Sequence, residues 1–515
     1  MRQTTPQIFK RYSKACSLKE NFRDMYERAY RIAIPNRNMY NNPVPGQRKN
    51  YNNYTSLGTQ VVDRFVNHIQ ASLTPPFKRW VELKAGDSVP EEISDQLNKA
   101  YSDFTKVGFE MLDASNFNVA ISESYYDLAV GTSCLLVSEG DDNAPFIFTA
   151  VPPEQVTLVE DGYGRVYMIF RKHKIEAALI KETWPTARLS AEMQRLINSN
   201  PLCDVEVLEV TYKVGKKYYY EVFNNSTQDK FVESVMSRSG WVITRLGKVP
   251  GEPYGRGPVI VALEDLQMYN KAKELMIRSA QMSTFGMYTV ADSDIINPNT
   301  LVLSPGMMIP VSRNAGANGP SIAPLPGAGN LDMQQFMLAD LQNDIKTIMM
   351  NDRMPPEIGA VRSATEYALR GQSRQIDVQS YFGRLQYEMV QPLWQNMLTI
   401  MYEKEVLGDI PPELITIDNM LLKVRVVSPL AKEQGIIDMQ NTIQTIQTAQ
   451  ALAGLEAVNA SYKMEDLPYI LARDSGMTQD LLRTKEEREQ FMAQAQQAAQ
   501  MQQMAEMAGM SSAAA

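Results

Sequence analysis

The chain has 515 residues, more than one hydrophobic core normally holds, so we expect two to four structural units. Hydrophobic residues make up 44% and charged residues 21%, which is typical of a folded, soluble chain and excludes a disordered one. The net charge of −8 is uneven, because residues 1–80 carry 14 Lys and Arg against 4 Asp and Glu, and residues 81–515 carry 37 against 55; the whole is therefore not a basic nucleic-acid binder.

Histidine and cysteine are too sparse for most catalytic and metal sites. His68 and His173 are the only histidines, so a catalytic His or a multi-His metal site is nearly excluded. Cys16, Cys134 and Cys203 are far apart, which excludes a zinc knuckle or a disulfide framework and favours a reducing compartment. The N-terminus lacks the apolar core of a signal peptide, and no apolar stretch is long enough for a membrane span. We expect a cytosolic, acidic protein of several units.

Periodic apolar residues in the first 130 positions predict four helices separated by loops. The stop signals are prolines, at Pro35 and at the pair Pro75-Pro76. Ser88 and Glu91 have the spacing of a capping box, which predicts the start of the third helix. The expected helices cover about residues 6–34, 57–74, 91–112 and 116–130, with an extended loop over 36–54.

The hydrophobic period then changes to that of β-strands. Turn signals at residues 141–143 and 161–164 separate short β-rich segments. The predicted strands are 134–139, 146–150, 155–160, 166–171, 204–213 and 218–223, with two more by Leu246 and a helix near 187–197. These elements predict an antiparallel, mostly meandering β region.

Two further helices are predicted to flank a proline-rich insert. They cover residues 262–285 and 331–350, and six prolines lie between Asp292 and Gly329. The layout predicts a helical hairpin that carries a small subdomain at its tip. Because polar residues are scattered around both helices, the hairpin cannot bury both faces within one copy.

A loop and a long helix follow the hairpin. Residues 351–359 carry the proline and glycine of a loop. Ser363 and Glu366 form a second capping box, which opens a helix that runs to about Glu405. Pro392 lies inside this helix and should kink it.

The C-terminal block is also predicted to be helical, from Leu430 onwards, with a third capping box at Thr484 and Glu487. In its last part, residues 488–515, 21 of 28 residues are Gln, Ala or Met. This tail should be dispensable for oligomer formation.

Motifs for catalysis or nucleotide binding are missing from the sequence. There is no phosphate loop, no Gly-x-Ser-x-Gly elbow and no His-Glu-x-x-His. The pairs Asp141/Asp142 and Asp292/Asp294 could ligate a divalent ion, although a solvated turn is the commoner role for such pairs. We therefore expect no enzymatic activity, no metal and no cofactor.

The basic N-terminal segment allows two interpretations. It could be a nucleic-acid footprint, or a solvated face that docks an acidic protein. Its charges spread around helical faces and lack interleaved aromatic residues, which favours the second interpretation. The helical charges concerned are Lys10, Arg11, Lys14, Lys19, Arg23, Arg28 and Arg31.

Four blocks in this order carry a resemblance to a known family: residues 58–83, 130–166, 251–280 and 354–394. The most specific parts are Pro-Tyr-Gly-Arg-Gly at 253–257 and Ser-Ala-Thr-Glu at 363–366. Together the blocks resemble the head-to-tail connecting (portal) proteins of short-tailed, podovirus-type bacteriophages. The resemblance covers about residues 5–430, and the C-terminal block falls outside it.

The resemblance implies a mostly helical α+β portal fold, with twelve copies in a ring around an axial tunnel. Its parts would be the wing, a stem made by the hairpin, the clip at the hairpin tip, a tunnel loop and a crown. The expected segments are 1–130 (helical wing), 131–261 (β-rich wing), 262–285 and 331–350 (stem), 286–330 (clip), 351–362 (tunnel loop), 363–429 (long kinked wing helix and following strand) and 430–515 (crown and tail).

The same resemblance implies a conduit for double-stranded DNA at one capsid vertex, used in packaging and ejection. Expected partners are terminase, a tail adaptor, and the major capsid and scaffolding proteins, with assembly in the host cytoplasm and no membrane. Candidate DNA contacts are Lys271, Lys273, Lys346, Asn351, Arg353 and Arg362; candidate docking residues in the clip are Asp292, Asp294, Asn297 and Arg313; and Ser363 and Glu366 would cap the long helix.

Two other functions stay open at this point. An internal ejection or scaffolding-type virion protein should be helical throughout, so the predicted β region at 134–246 counts against it. A nucleic-acid enzyme subunit should carry phosphate-loop residues, and the sequence has none.

Overall fold

The computed structural model combines helices and strands. It describes residues 2–37, 53–86, 88–141, 144–285, 288–290, 322–324, 331–349, 383–408, 411–417, 420–427 and 442–452, together with 454, 461, 462, 467 and 491. Among these, residues 442–452 are helical, which agrees with the helix predicted after Leu430.

The helices in the described residues match most of the helices predicted from periodicity. They are α1 (Thr5–Ala33), α2 (Leu57–Leu73), α3 (Glu91–Asp113), α4 (Phe117–Val130), α5 (Ile180–Thr183), α6 (Ala191–Ser199), α7 (Pro258–Val261), α8 (Leu263–Phe285), α9 (Leu331–Ile348) and α10 (Gln391–Glu403). The stop predicted at Pro35 is confirmed, since α1 ends at Ala33 and Ile34 caps it. The stop at Pro75-Pro76 is also confirmed, because Thr74 caps α2.

The capping box predicted at Ser88 and Glu91 is wrong. Glu91 is already the first helical residue of α3, and Pro90 occupies the N-cap position with an extended backbone. A capping box needs its Ser at the N-cap and its Glu three residues into the helix, so Ser88 lies two residues too early. Its backbone N–H donates instead to the carbonyl of Met420, at 3.3 Å.

The β region contains the predicted antiparallel meander. Strands β4 (Val156–Glu160), β5 (Val166–Glu176), β6 (Asp204–Val214), β7 (Lys217–Asn224) and β8 (Lys230–Met236) pair in chain order in a five-stranded sheet. Strand β5 runs five residues past its predicted end at Arg171, and Lys172 to Glu176 continue the pairing with β6.

A second, three-stranded sheet places β2 (Thr132–Glu139) between β3 (Phe146–Val151) and β9 (Trp241–Arg245). Side-chain amides form hydrogen bonds with backbone groups at both of its edges. On β3, the amide of Asn116 donates to the Phe148 carbonyl at 2.7 Å and accepts from the Phe148 N–H at 2.8 Å. At the start of β9, Asn396 accepts from the N–H of Gly240, the residue before the strand, at 3.1 Å and donates to the Trp241 carbonyl at 3.5 Å. These contacts satisfy edge groups that could otherwise pair with another strand.

The Pro-Tyr-Gly-Arg-Gly motif has a packing role at the end of α4. The backbones of Gly131 and Gly255 approach so closely that a Cβ on Gly131 would lie 2.2 Å from the Gly255 carbonyl oxygen. A Cβ on Gly257 would lie 2.3 Å from the carbonyl oxygen of Ala129. Any larger residue would force the two segments apart, so the glycines fix the path of the chain from β9 into α7 and α8.

The long helix joins the core through an aromatic cluster. Trp394 of α10 lies 6.3 Å from Trp80 and 5.2 Å from Phe109 between ring centroids, and Phe117 stacks on Trp80 at 6.1 Å. Each such pair contributes about 0.5–1.5 kcal/mol beyond its buried area. The cluster therefore holds α10 against α3, α4 and the start of β1 (Val81–Ala85), which pairs with β12 (Leu422–Val426).

The chain accommodates Pro392 with a π-helical turn. Residues Gln386–Val390 form this turn, and Pro392 lies in the first turn of α10. Proline has no N–H to give to the carbonyl four residues earlier, that of Glu388, and a wider turn absorbs the missing bond. The predicted disturbance of the helix at Pro392 thus takes the form of a π segment.

Helices α8 and α9 form the predicted hairpin. Between them, strands β10 (Tyr288–Val290) and β11 (Ile322–Pro324) pair antiparallel, so both ends of the insert are joined as a two-stranded ribbon. Most of the insert, the loop 351–362 and the helix start at Ser363 and Glu366 lie outside the described residues.

Candidate functional site

The hairpin is amphipathic in an unusual way, because each helix presents apolar side chains to solvent as well as to the core. On α8, Leu266 and Tyr269 are buried. On another face of α8, Met268 and Leu275 are seven residues apart, and each is more than half exposed. This spacing places them in one stripe along the helix. We call these two residues the α8 stripe.

The partner helix repeats the pattern. Leu338 and Ile345 of α9 and Met349 just after it are buried, whereas Phe336 is 71% exposed and Met337 is also more than half exposed. A soluble single chain normally buries such large side chains together. Each helix of the hairpin therefore has exposed apolar side chains: Met268 and Leu275 on α8, and Phe336 and Met337 on α9.

The three described candidates for DNA contact lie on the hairpin, and two of them have partners within it. Lys271 Nζ lies 2.8 Å from Glu274 Oε2, and Arg278 Nη2 lies 2.5 Å from Glu274 Oε1. The hydrogen bond from Lys271, helped by the Arg278 charge, lowers the pKa of Glu274. Lys273 Nζ lies 5.8 Å from the ring centroid of Tyr269.

Lys346 lies in the last turn of α9, where a cation complements the helix dipole. Lys271 thus forms an ion pair on its own helix. The other candidate contacts, docking residues and helix-cap residues lie outside the described residues: Asp292, Asp294, Asn297, Arg313, Asn351, Arg353, Arg362, Ser363 and Glu366.

Part of the basic N-terminal charge is used inside the chain. Lys19 Nζ donates to three backbone carbonyls, those of Pro153 (2.9 Å), Glu154 (2.6 Å) and Val156 (2.9 Å). Other cations form ion pairs: Arg2 with Glu233, Arg23 with Glu20, Arg28 with Asp24, Arg31 with Glu27 and Arg37 with Asp127. Five further cations of this segment are exposed: Lys10, Lys14, Arg64, Lys78 and Arg79.

Burial raises the pKa values of two acids below this segment. The pKa of Asp127 rises to about 6, although Arg37 and the hydrogen bond from Tyr30 oppose the rise. The pKa of Glu154 rises to about 7, again through burial. The same loss of solvent lowers the pKa of Lys19 to about 8. These groups form a buried polar cluster between α1, α4 and the start of β4.

A buried ionic network that the sequence did not predict joins the two sheets to the long helix. Arg245 forms a two-pronged contact with Glu388, with Nη2 to Oε1 at 2.7 Å and Nε to Oε2 at 3.1 Å. It also pairs with Glu160, which Lys248 contacts at 2.6 Å. Arg384 adds a contact to Glu388 at 3.2 Å.

Burial opposes the charge of Arg245, but its bonds to Glu388 and the charge of Glu160 raise its pKa further. The sequence held one signal of this network: Glu388 stands among apolar residues in Tyr-Glu-Met-Val. A carboxylate buried among such residues needs a cation beside it.

Across the described part of the chain, no three His, Cys, Asp or Glu side chains are grouped as metal ligands would be. Nor does any described helix combine the length and apolar character needed to cross a membrane.

Comparison with known proteins gives one family. The model of the family described as "Bacteriophage head to tail connecting protein" matches residues 5–482, which includes part of the C-terminal block that our resemblance left out. A "Probable portal protein" of Bordetella phage BPP-1 is 22% identical over 461 residues, covering 83% of this chain and 78% of that protein.

A solved structure titled "Virion of native gene transfer agent (GTA) particle" aligns over 86% of this chain and 92% of its own, with 10% identity and a TM-score of 0.36. The family match spans most of the chain and confirms the resemblance found in the sequence. The chain belongs to the bacteriophage head-to-tail connecting protein family.

Proposed function

We propose that this chain is a phage portal protein: a ring of twelve copies at one capsid vertex, through which double-stranded DNA passes during packaging and ejection. Family membership and the name of the Bordetella phage relative support this function. The terminase and a tail adaptor would dock on the ring, and major capsid and scaffolding proteins would surround it in the virion. The virion location and assembly in the host cytoplasm are part of the same proposal.

The observation that carries the proposal is the pair of apolar surfaces on the hairpin. A closed ring is built from a head-to-tail contact in which one surface of each copy meets a different surface of the next. The α8 stripe and the exposed Phe336 and Met337 of α9 supply two such surfaces on one element. In a ring, the α8 stripe of one copy would pack on α9 of its neighbour.

The charge of the hairpin segment suits a conduit. Residues 262–350 contain five Lys and Arg against eight Asp and Glu. Each firm phosphate contact strengthens salt-dependent binding of DNA, so a wall that must let DNA slide benefits from few free cations. The ion pair between Lys271 and Glu274 reduces them further.

We also propose a role for each segment of the chain. Residues 262–285 and 331–350 would be the stem, 286–330 the clip and 351–362 the tunnel loop, with 1–130, 131–261 and 363–429 in the wing and 430–515 in the crown. Asp292, Asp294, Asn297 and Arg313 would then contact the adaptor or terminase. Arg353, Arg362 and Asn351 would contact DNA at the constriction.

The hairpin contact is testable by changing its apolar surface. Met268→Glu with Leu275→Glu places two carboxylates on the α8 stripe, where a neighbouring copy would desolvate them at a cost of several kcal/mol. Wild-type protein should give ring-shaped class averages in electron microscopy and a mass near twelve times 58.0 kDa, about 700 kDa. The double variant should remain a folded subunit or small oligomer.

A matched control is Leu202→Glu, which alters a residue that is exposed on the turn before β6. This control should assemble like wild type. A wild-type chain that stays monomeric or dimeric across salt and protein concentrations would contradict the ring. If the double variant forms normal rings, the contact between copies does not involve the α8 stripe.

The two alternative functions have weaker support. An internal ejection or scaffolding-type protein was expected to be helical throughout, and the eight strands between residues 132 and 245 disagree with that expectation. For a nucleic-acid enzyme subunit, ATPase or nuclease activity in the purified chain would be the deciding measurement.

A further inference from the structure

The turn after α2 presents an aromatic side chain where turn geometry favours glycine. The N–H of Lys78 donates to the carbonyl of Pro75 at 3.4 Å, which closes a four-residue turn with Pro76 and Phe77 at its centre. Phe77 has φ +59°. Proline followed by a residue with positive φ is the pattern of a type II turn, whose third position is normally Gly or Asn. Here that position holds Phe.

The turn is held firmly at both ends. Thr74 is fully buried, and its hydroxyl lies 2.9 Å from the hydroxyl of Tyr125. Trp80 is buried in the aromatic cluster, and its carbonyl accepts from the N–H of Val427 at 2.8 Å. Two prolines further restrict the backbone between these anchors. The turn therefore presents its side chains in a fixed position, with little conformational entropy left to lose on binding.

Phe77 is unfavourable for the isolated chain in two respects. A bulky residue with positive φ strains the backbone. In addition, the side chain is 83% exposed, so it gains little from burial. The next two residues, Lys78 and Arg79, are exposed cations. A strained, rigid aromatic side chain beside two cations has the composition of a binding anchor. We call Phe77, Lys78 and Arg79 the Phe77 tip.

The composition of the tip indicates what it binds. Insertion of an aromatic ring into duplex DNA must unstack bases, at a cost of about a few kcal/mol per step, whereas a protein surface can enclose the ring and place carboxylates beside the cations. Residues 81–515 of this chain carry 55 acidic against 37 basic side chains, so a second copy has the charge that complements the cations of the tip. We propose that the Phe77 tip docks into an acidic surface of a second copy of this chain.

This inference rests on the proposed ring. One Phe side chain buries about 150–250 Å², whereas a stable contact buries about 800 Å² on each partner. The tip is therefore an anchor within a larger contact that also includes the hairpin. Its removal should weaken the ring measurably without changing the fold of the subunit.

The decisive variant is Phe77→Asn, because Asn tolerates positive φ and removes the aromatic ring. Its thermal midpoint as an isolated subunit should equal or exceed that of wild type. Its rings should dissociate at a protein concentration about tenfold higher or more, measured by mass photometry over a dilution series. Lys78→Ser with Arg79→Ser should also weaken the ring and reduce its sensitivity to salt.

Tyr163→Asn is the matched control, since Tyr163 is 87% exposed on the turn between β4 and β5. It should leave ring stability unchanged. Rings of Phe77→Asn as stable as wild type would overturn the inference, and so would unchanged rings that retain less duplex DNA, since the partner would then be DNA. Failure of the wild-type chain to form rings in the same dilution series would instead contradict the proposed function.

Discussion

At the scale of single residues, buried ionisable groups make the stability of the folded chain depend on pH. Glu154 has a pKa of about 7 in the folded chain, raised by burial from 4.5. Between those two values the folded chain keeps a proton that the unfolded chain has released, so stability falls as pH rises. Above pH 7 the full penalty for the buried charge is present, at most about 3 kcal/mol.

Glu154→Gln removes this titration while keeping the shape of the side chain. The free energy of unfolding of the variant should exceed that of wild type by about 1–3 kcal/mol at pH 7.5. The difference should shrink as the pH approaches 4.5, as measured by denaturant titrations at several pH values. Glu110→Gln, on the exposed face of α3, is the control. A variant that is less stable than wild type at pH 7.5 would show that the Glu154 carboxylate is stabilised by its neighbours.

At the scale of elements, the contact between Arg245 and Glu388 holds the long helix on the sheets. Removing one partner of a buried ion pair leaves the other charge without compensation, at a cost of about 3–5 kcal/mol. Arg245→Met should therefore destabilise the chain by about that amount in denaturant titrations. Arg256→Met is a matched control, because Arg256 forms a similar two-pronged contact with Glu252 at an exposed site, worth about 0–1 kcal/mol. Equal losses in the two variants would contradict a special role for the buried pair.

Elements were predictable from the sequence where their signal is local. Helical spacing and proline stops located α1 and α2, and turn residues located the meander, because these patterns lie within a few positions of each other. The contact between Arg245 and Glu388 joins residues 143 positions apart, so no local pattern reports it. The error at Ser88 has a similar origin: a capping box is a spacing of residue types, whereas in the structure Pro90 is the N-cap and Ser88 bonds to the distant Met420.

The candidate sites were less predictable than the elements. Sequence composition predicted that the hairpin would need a neighbour, but not which side chains would be exposed, because that depends on how α8 and α9 pack. Lys271 is an example: Glu274 stands three residues away in the sequence, but the ion pair between the two side chains became visible only in the structure. Phe77 lies within the family block at residues 58–83, yet the exposure of its side chain and its positive φ became visible only in the structure.

At the scale of the whole molecule, the proposed ring would repeat each cation twelve times around the channel. Arg353 and Arg362 belong to segment 351–362, which we propose forms the constriction, and twelve copies would surround the DNA with both. Transient phosphate contacts of this kind slow the escape of DNA without reading its sequence. Arg353→Ala with Arg362→Ala should therefore leave ring formation intact but reduce nuclease-protected DNA in assembled particles, by about tenfold.

Lys271→Ala is the control for loss of charge, because Lys271 is already engaged by Glu274 on its own helix. Particles with this change should protect as much DNA as wild type. If the double arginine variant fails to form rings, the two residues belong to the contact between copies, and the assignment of residues 351–362 to the constriction loses its support. If it forms rings and packages normally, the DNA must be retained by other groups in the channel.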